Sequence, residues 1–302
     1  MAIHAFLGKL LPLAMAIPIL AGQDGTQQAS DVDVIATSND QYDRLTVPVR
    51  IGAHGPFDFM IDTGAQNTVL STALATRLAL PTARRVKLTG IAGSEIVDTV
   101  EVEQIDLGKR SYYGVLAPLL ERSDMGADGI IGLDSLQGQR VVIDFRKREI
   151  AVADAKALGG NRGYEIVVTA RRRSGQLIMA HAKIDGIDVD VVIDTGAESS
   201  IGNRALQGAM LRRGKAETTE LRSVTGQTIM ADIGFGKKLQ LGEMTFQNVM
   251  IAYADAPPFA VLGLDKKPAL FLGMRDMRAL DRIAIDFQAR KVYFDVPKSA
   301  YQ

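Results

Sequence analysis

Two aspartates carry the chemistry of this sequence. Met60-Ile61-Asp62-Thr63-Gly64-Ala65 recurs as Val192-Ile193-Asp194-Thr195-Gly196-Ala197, one copy in each half of the 302-residue chain. In each copy an apolar run ends in an acidic residue and a turn former. One carboxylate at a strand end is ordinary. Two in matching settings predict a pseudo-symmetric site where the carboxylates meet and share a proton. Like charges that close cannot both ionise, so one pKa rises and the other falls. The ionised member can take a proton from a water while the protonated member polarises a carbonyl. Such a site needs neither a metal nor a covalent intermediate.

The elements that must position these residues are also repeated. Gly93-Ser94-Glu95-Ile96 matches Gly226-Gln227-Thr228-Ile229, and Leu107-Gly108 matches Leu241-Gly242. Ile130-Ile131-Gly132 matches Phe271-Leu272-Gly273, and Ile143-Asp144-Phe145 matches Ile285-Asp286-Phe287. The order is kept while the offset grows slowly, as small insertions would make it do. The chain therefore reads as two copies of one domain of roughly 130 residues, a normal size for a single core. Leu45 to Ile51 alternates, a turn follows at Gly52 to Pro56, and a second strand runs into Asp62. In the second copy Leu177 to Ile184 alternates, Asp185-Gly186 forms a hairpin turn, and Val189 to Ile193 runs into Asp194. Short helices are expected at Ser71–Leu78 and Asn203–Leu211, and the remainder is short apolar runs punctuated by glycine. The expected fold is mainly β, with two lobes at 41–155 and 164–297 joined by a glycine-rich linker at 156–163.

Bulk properties bound the reading further. Hydrophobic residues make up 47% of the chain, ample for two cores. Lys+Arg and Asp+Glu both number 35, and this balance argues against a nucleic-acid partner. There are no cysteines, which excludes disulfides, thiolate metal sites and a thiol nucleophile. Residues 1–22 have the order of a secretory signal peptide: His4 and Lys9, an apolar run from Leu10 to Leu20, then Ala21 and Gly22. Residues 23–40 read as a flexible leader. Export to the periplasm or medium is expected, an uncleaved N-terminal anchor being the alternative. No later segment is long and apolar enough to span a bilayer.

The twin motif resembles that of the retropepsin-like and pepsin-like aspartic proteases, over about residues 40–297. The resemblance implies two pseudo-twofold-related acid-protease lobes, β-barrel-like, with a central cleft and an aspartic endopeptidase activity. It implies Asp62 and Asp194 as the catalytic dyad, and Thr63 and Thr195 as the makers of interlocking bonds between lobes. Gly64 and Gly196 would shape the turns, and Gly132 and Gly273 would pack beneath them. It also implies hairpin flaps over the substrate: Gly90, Ile91, Ala92, Gly93 and Ser94 in the first copy, and Val224, Thr225 and Gly226 in the second. Pepsin-type enzymes carry Ser or Thr after the catalytic glycine and a Tyr on one flap. Here Ala65 and Ala197 follow the glycines and neither flap has a Tyr, which draws the resemblance toward a fused form of the retroviral dimer. With no hydroxyl to stabilise the ionised carboxylates, an activity optimum less acidic than that of pepsin is expected.

Other clusters carry less. Asp185, Asp188, Asp190 and Asp194 lack calcium-loop spacing, so no metal is expected, and no cofactor. His4, His54 and His181 are too scattered for a Ser/His/Asp or paired-histidine site. Arg171-Arg172-Arg173 before Ser174-Gly175 reads as a solvated turn. The expected partner is an extended polypeptide substrate. As both half-sites lie in one chain a monomer suffices, and a homodimer is not required. A peptide-binding module without catalysis, or a self-processing enzyme, are the alternatives on the same fold.

Overall fold

The computed structural model describes residues 33–39, 45–158, 164–210 and 217–297. The expected signal segment, most of the leader and residues 159–163 of the expected linker lie outside these. Each half of the chain builds a curled sheet. In the first, the order is Ser38–Asn39, Leu45–Ile51, His54–Ile61, Gly129–Ile131, Val69–Ser71, Arg110–Leu120 and Thr99–Leu107, closed by pairing of Leu45–Ile51 with Thr99–Leu107. In the second, the order is Arg171–Arg173, Gln176–Ile184, Ile187–Ile193, Ala269–Leu272, Ser200–Gly202, Met244–Tyr253, Thr228–Leu241 and Glu217–Arg222, closed by Gln176–Ile184 against Thr228–Leu241. These are two β-barrel-like lobes of matching topology.

Each aspartate leaves the end of a strand that is paired on both sides. His54–Ile61 runs parallel to Gly129–Ile131, with Met60 level with Ile130. Ile187–Ile193 runs parallel to Ala269–Leu272, with Val192 level with Phe271. Gly129–Ile131 and Ala269–Leu272 are buried at every position, which explains their unbroken apolar sequences. Leu45–Ile51 instead alternates, with Val47, Val49 and Ile51 inside and Pro48 and Arg50 outside.

A third, six-stranded sheet joins the lobes: Asp33–Ala36, Glu149–Ala153, Arg140–Asp144, Arg282–Asp286, Lys291–Asp295 and Ile166–Thr169. Its first three strands come from one half of the chain and its last three from the other. Val142 faces Ala284 at its centre, so the pseudo-twofold passes there. This sheet corrects the leader assignment. Asp33–Ala36 and Ser38–Asn39 form strands, and Asp33 pairs with Val152 far along the chain. Arg171–Arg173 is likewise a short strand and not a turn: its three side chains are exposed, Arg171 pairs with Asp190 at 2.6 Å, and Arg172 reaches Gln137 of the other lobe.

The two expected helices stand close to their expected bounds, and four further short ones among the described residues, Arg122–Met125, Leu133–Leu136, Pro257–Val261 and Met274–Met277, are outside that expectation. Thr72–Arg77 is capped by Ser71, whose Oγ accepts the Leu74 N–H at 3.2 Å. Arg204–Met210 starts where Asn203 Oδ1 accepts the Leu206 N–H at 2.8 Å. Leu211 lies outside the described residues. Among the described residues no helix is long and apolar enough to cross a membrane.

Candidate active site

Asp62 and Asp194 face each other at the floor between the lobes, each only 9% exposed. Their contact is mediated by the glycines. A Cβ on Gly64 would stand 2.7 Å from Asp194 Oδ1, and one on Gly196 would overlap Asp62 Oδ2. No larger residue fits at either position while the other carboxylate stays where it is. Within each loop the backbone holds its own aspartate. Asp62 Oδ1 accepts N–H bonds from Gly64 at 2.7 Å and Ala65 at 3.0 Å. Asp194 Oδ1 accepts from Gly196 at 3.0 Å and Ala197 at 3.1 Å.

The threonines lock the loops together. Thr63 Oγ1 donates to the Ile193 carbonyl at 2.9 Å and accepts the Thr195 N–H at 3.3 Å. Thr195 Oγ1 donates to the Ile61 carbonyl at 2.7 Å and accepts the Thr63 N–H at 3.0 Å. All of these bonds are buried and cross from lobe to lobe. Thr195→Val keeps the shape but strands the Ile61 carbonyl and the Thr63 N–H. We expect it to cost about 2 kcal/mol in chemical denaturation, the range for buried groups left unpaired. A loss below about 0.5 kcal/mol would mean that the grip does not hold the lobes.

Electrostatics follow from this burial. Withdrawal from water and the neighbouring Asp62 carboxylate push Asp194 up to about 8, against the downward pull of the Gly196 and Ala197 N–H groups. A pair so placed holds one proton across a wide pH range. One oxygen can then accept a proton while another donates one.

Beneath each loop lies a support that the sequence reveals only in part. A Cβ on Gly132 would overlap the Asn67 carbonyl oxygen, and one on Gly273 would meet the Ser199 carbonyl carbon at 2.6 Å. Gly132 N–H donates to Thr68 Oγ1 at 3.2 Å, which in turn donates to Asp134 at 2.7 Å. Gly273 N–H donates to Ser200 Oγ at 3.1 Å, which donates to Asp276 at 2.5 Å. Thr68, Asp134, Ser200 and Asp276 are not among the residues that the sequence singles out. A signal exists: a hydroxyl six positions after each aspartate, and an acid just after each supporting glycine.

The expected flap residues lie on two hairpins that cross. Val86–Gly90 and Gly93–Val97 form the first, with Ile91 and Ala92 at its tip and Ser94 bonded across to Thr89 at 2.9 Å. Glu217–Arg222 and the start of Thr228–Leu241 form the second, whose tip closes with the Ser223 N–H on the Gln227 carbonyl at 2.8 Å and the Gly226 N–H on the Ser223 carbonyl at 2.9 Å. The tips touch: a Cβ on Gly90 would overlap Ser223 Oγ, and one on Gly93 would overlap Gln227 Oε1. Ile91 packs on the apolar cluster of the second lobe with Val192, Phe259 and Phe271. Val224 packs on that of the first with Met60, Ala65 and Ile130. Each tip thus packs on an apolar cluster of the opposite lobe. Arg222 adds a 2.5 Å ion pair to Asp124 of the first lobe. Half-buried aliphatics contribute about 1–2 kcal/mol each, and an ion pair with an exposed arginine less, so the hairpin tips are held to the opposite lobes by only a few weak contacts.

Among the described residues no group of three or more His, Asp or Glu stands close enough to hold a metal. Asp188 pairs with Lys183 at 2.7 Å, and His181 is exposed at a bulge between Met179 and Ala182.

Fold and site together define an acid-protease architecture. Residues 47–138 match the family model described as "gag-polyprotein putative aspartyl protease", and residues 180–275 match the one described as "Aspartyl protease". The chain belongs to the retropepsin-like aspartyl protease families and carries two such domains in tandem. No curated protein matches it significantly.

Proposed function

We propose that the protein is an aspartic endopeptidase in which Asp62 and Asp194 act as one dyad. The observation that carries this is the reciprocal contact of the two carboxylates through Gly64 and Gly196. A water held between the carboxylates loses a proton to the ionised one, and its oxygen adds to the peptide carbonyl carbon. The protonated partner donates to the carbonyl oxygen as charge develops there. Collapse of the tetrahedral adduct breaks the C–N bond, and the leaving nitrogen receives a proton from the dyad. The substrate is an extended polypeptide laid between the aspartates and the crossed hairpins, which serve as flaps. Both half-sites belong to one chain, so the working unit is a monomer. The signal-like pattern of residues 1–22 supports export to the periplasm or medium.

The test is hydrolysis of an unfolded protein by the full chain, titrated with a statine-type transition-state analogue. One equivalent of inhibitor per chain should abolish cleavage. The pH–rate profile should be bell-shaped, because the dyad works only while it holds one proton. Since Asp194 is raised, the alkaline limb should fall near neutral pH or above. A folded chain that neither cleaves nor binds the analogue would overturn the reading. A rate maximum below about pH 3 would overturn its electrostatic part.

A further inference from the structure

We infer that Gln176 is a substrate-positioning residue, whose side-chain oxygen accepts a backbone N–H of the bound peptide beside Asp194. This rests on the peptidase reading above. Gln176 opens the strand Gln176–Ile184. Two positions on, Ile178 pairs with Val192, so continuing the antiparallel register sets Gln176 level with Asp194. The side chain crosses the lobe boundary: Nε2 donates to the Gly64 carbonyl at 2.5 Å. Gly64 is the residue whose Cα faces the Asp194 carboxylate. The amide of Gln176 therefore reaches the Asp62 loop of the first lobe from a strand position level with Asp194.

That bond fixes which way the amide faces. A backbone carbonyl only accepts, so the nitrogen must be turned to Gly64 and Oε1 turned away from it. Gln176 is 4% exposed, and its Oε1 has no hydrogen-bond partner among the described residues. A buried acceptor left unpaired is unfavourable, and native structures rarely keep one without a use. Methionine would fill about the same volume with no unpaired oxygen of its own, but would lose the bond to the Gly64 carbonyl. Gln139 Oε1 is also unpaired, but that amide stays inside the first lobe, near Tyr112 and Ser135. Among the described residues with an unpaired buried side-chain oxygen, only Gln176 has its amide bonded to an aspartate loop. An extended peptide that enters as the crossed hairpins lift brings donors there, and its backbone N–H groups are the ones present whatever its side chains. Gln176 does not titrate in the working pH range, so its part is to hold the chain in register over Asp194, not to move a proton.

The experiment is a cycle between enzyme and substrate backbone. A cleavable peptide is compared with analogues in which each non-scissile N–H near the cleaved bond is replaced in turn by an ester oxygen. Each is assayed with the wild type and with Gln176→Met. We expect one ester position to lower kcat/KM about tenfold in the wild type and to have no effect in Gln176→Met. The other positions should affect both enzymes equally. With the all-amide peptide, Gln176→Met should raise KM more than it lowers kcat. Should the methionine variant not fold, Gln176→Asn, which keeps the amide but withdraws its oxygen by one methylene, should show the same loss of coupling. Ester effects that are the same in wild type and variant at every position would overturn the assignment and leave Gln176 a brace between lobes. Cleavage of the all-amide peptide by the wild type establishes the peptidase reading by itself, so missing coupling would then reject the Gln176 assignment alone.

Discussion

Asp194→Asn should abolish peptide hydrolysis, by at least about a thousandfold in kcat, while making the folded protein more stable at neutral pH. The two effects have one cause. Asparagine keeps the oxygen that accepts from the Gly196 and Ala197 N–H groups, so the loop retains its shape. What disappears is the shareable proton. Without it no group can both take a proton from water and return one to the leaving nitrogen. Stability moves the other way. Burial and Asp62 raise Asp194 from 3.8 to about 8, so the folded chain holds this proton more tightly than the unfolded chain. A raised acid contributes its full stability below the unfolded value and loses it as pH climbs through the folded value. The wild type therefore carries an unfavourable buried charge at pH 8 that it does not carry at pH 4. Asparagine never carries it. Denaturant unfolding should show the variant more stable by a few kcal/mol at pH 8 and nearly equal at pH 4. A stability gap larger at pH 4 than at pH 8 would contradict the origin assigned to the shift. Retained cleavage would remove Asp194 from the chemistry.

The aspartate loops are legible in the amino-acid sequence because each is a dense local signal: an apolar strand, an acid, a hydroxyl and a glycine in six consecutive residues. The hairpin tips are legible for the same reason, through glycines at short spacing. What escapes is non-local. Asp33–Ala36 reads as part of a flexible leader because its partner, Glu149–Ala153, is more than a hundred residues away. The crossing of the tips escapes because Ile91 and Val224 look like ordinary hairpin aliphatics until the opposite lobe is in place. Thr68, Ser200, Asp134 and Asp276 are residue types that favour turns and caps, so nothing in their identity distinguishes a support beneath a glycine from a loop. Gln176 reads only as the residue preceding an alternating strand.

Arg140 is the strongest instance of this limit, and it carries the second large prediction. A charged residue at the start of a strand is normally exposed. Here Arg140 is 1% exposed, in the sheet that joins the lobes, with Asp286 directly across the pseudo-twofold. Its Nε and Nη2 donate to Asp286 Oδ2 at 3.1 and 2.7 Å, and its guanidinium lies 4.4 Å from the Tyr293 ring centre. Asp286 Oδ1 accepts the Ala289 N–H at 2.7 Å. Both charges are thus buried and well bonded, one from each half of the chain. Such a pair adds little over a well-packed apolar pair, but removing one partner strands the other. Arg140→Met should therefore cost about 3–5 kcal/mol in denaturant unfolding, because it leaves the Asp286 carboxylate buried against an apolar neighbour. The double change Arg140→Met with Asp286→Leu should recover most of that loss. A single variant within about 1 kcal/mol of wild type would mean the carboxylate finds another partner or water. A double variant as unstable as the single would mean the guanidinium matters through its packing on Tyr293 and not through its charge. The activity of the double variant bears on function. If it folds with full stability and cleaves like the wild type, the threonine grip between the aspartate loops is enough to set the spacing of the lobes. If it folds stably but loses activity, the buried pair fixes the register of the joining sheet, and through it the distance between the two carboxylates.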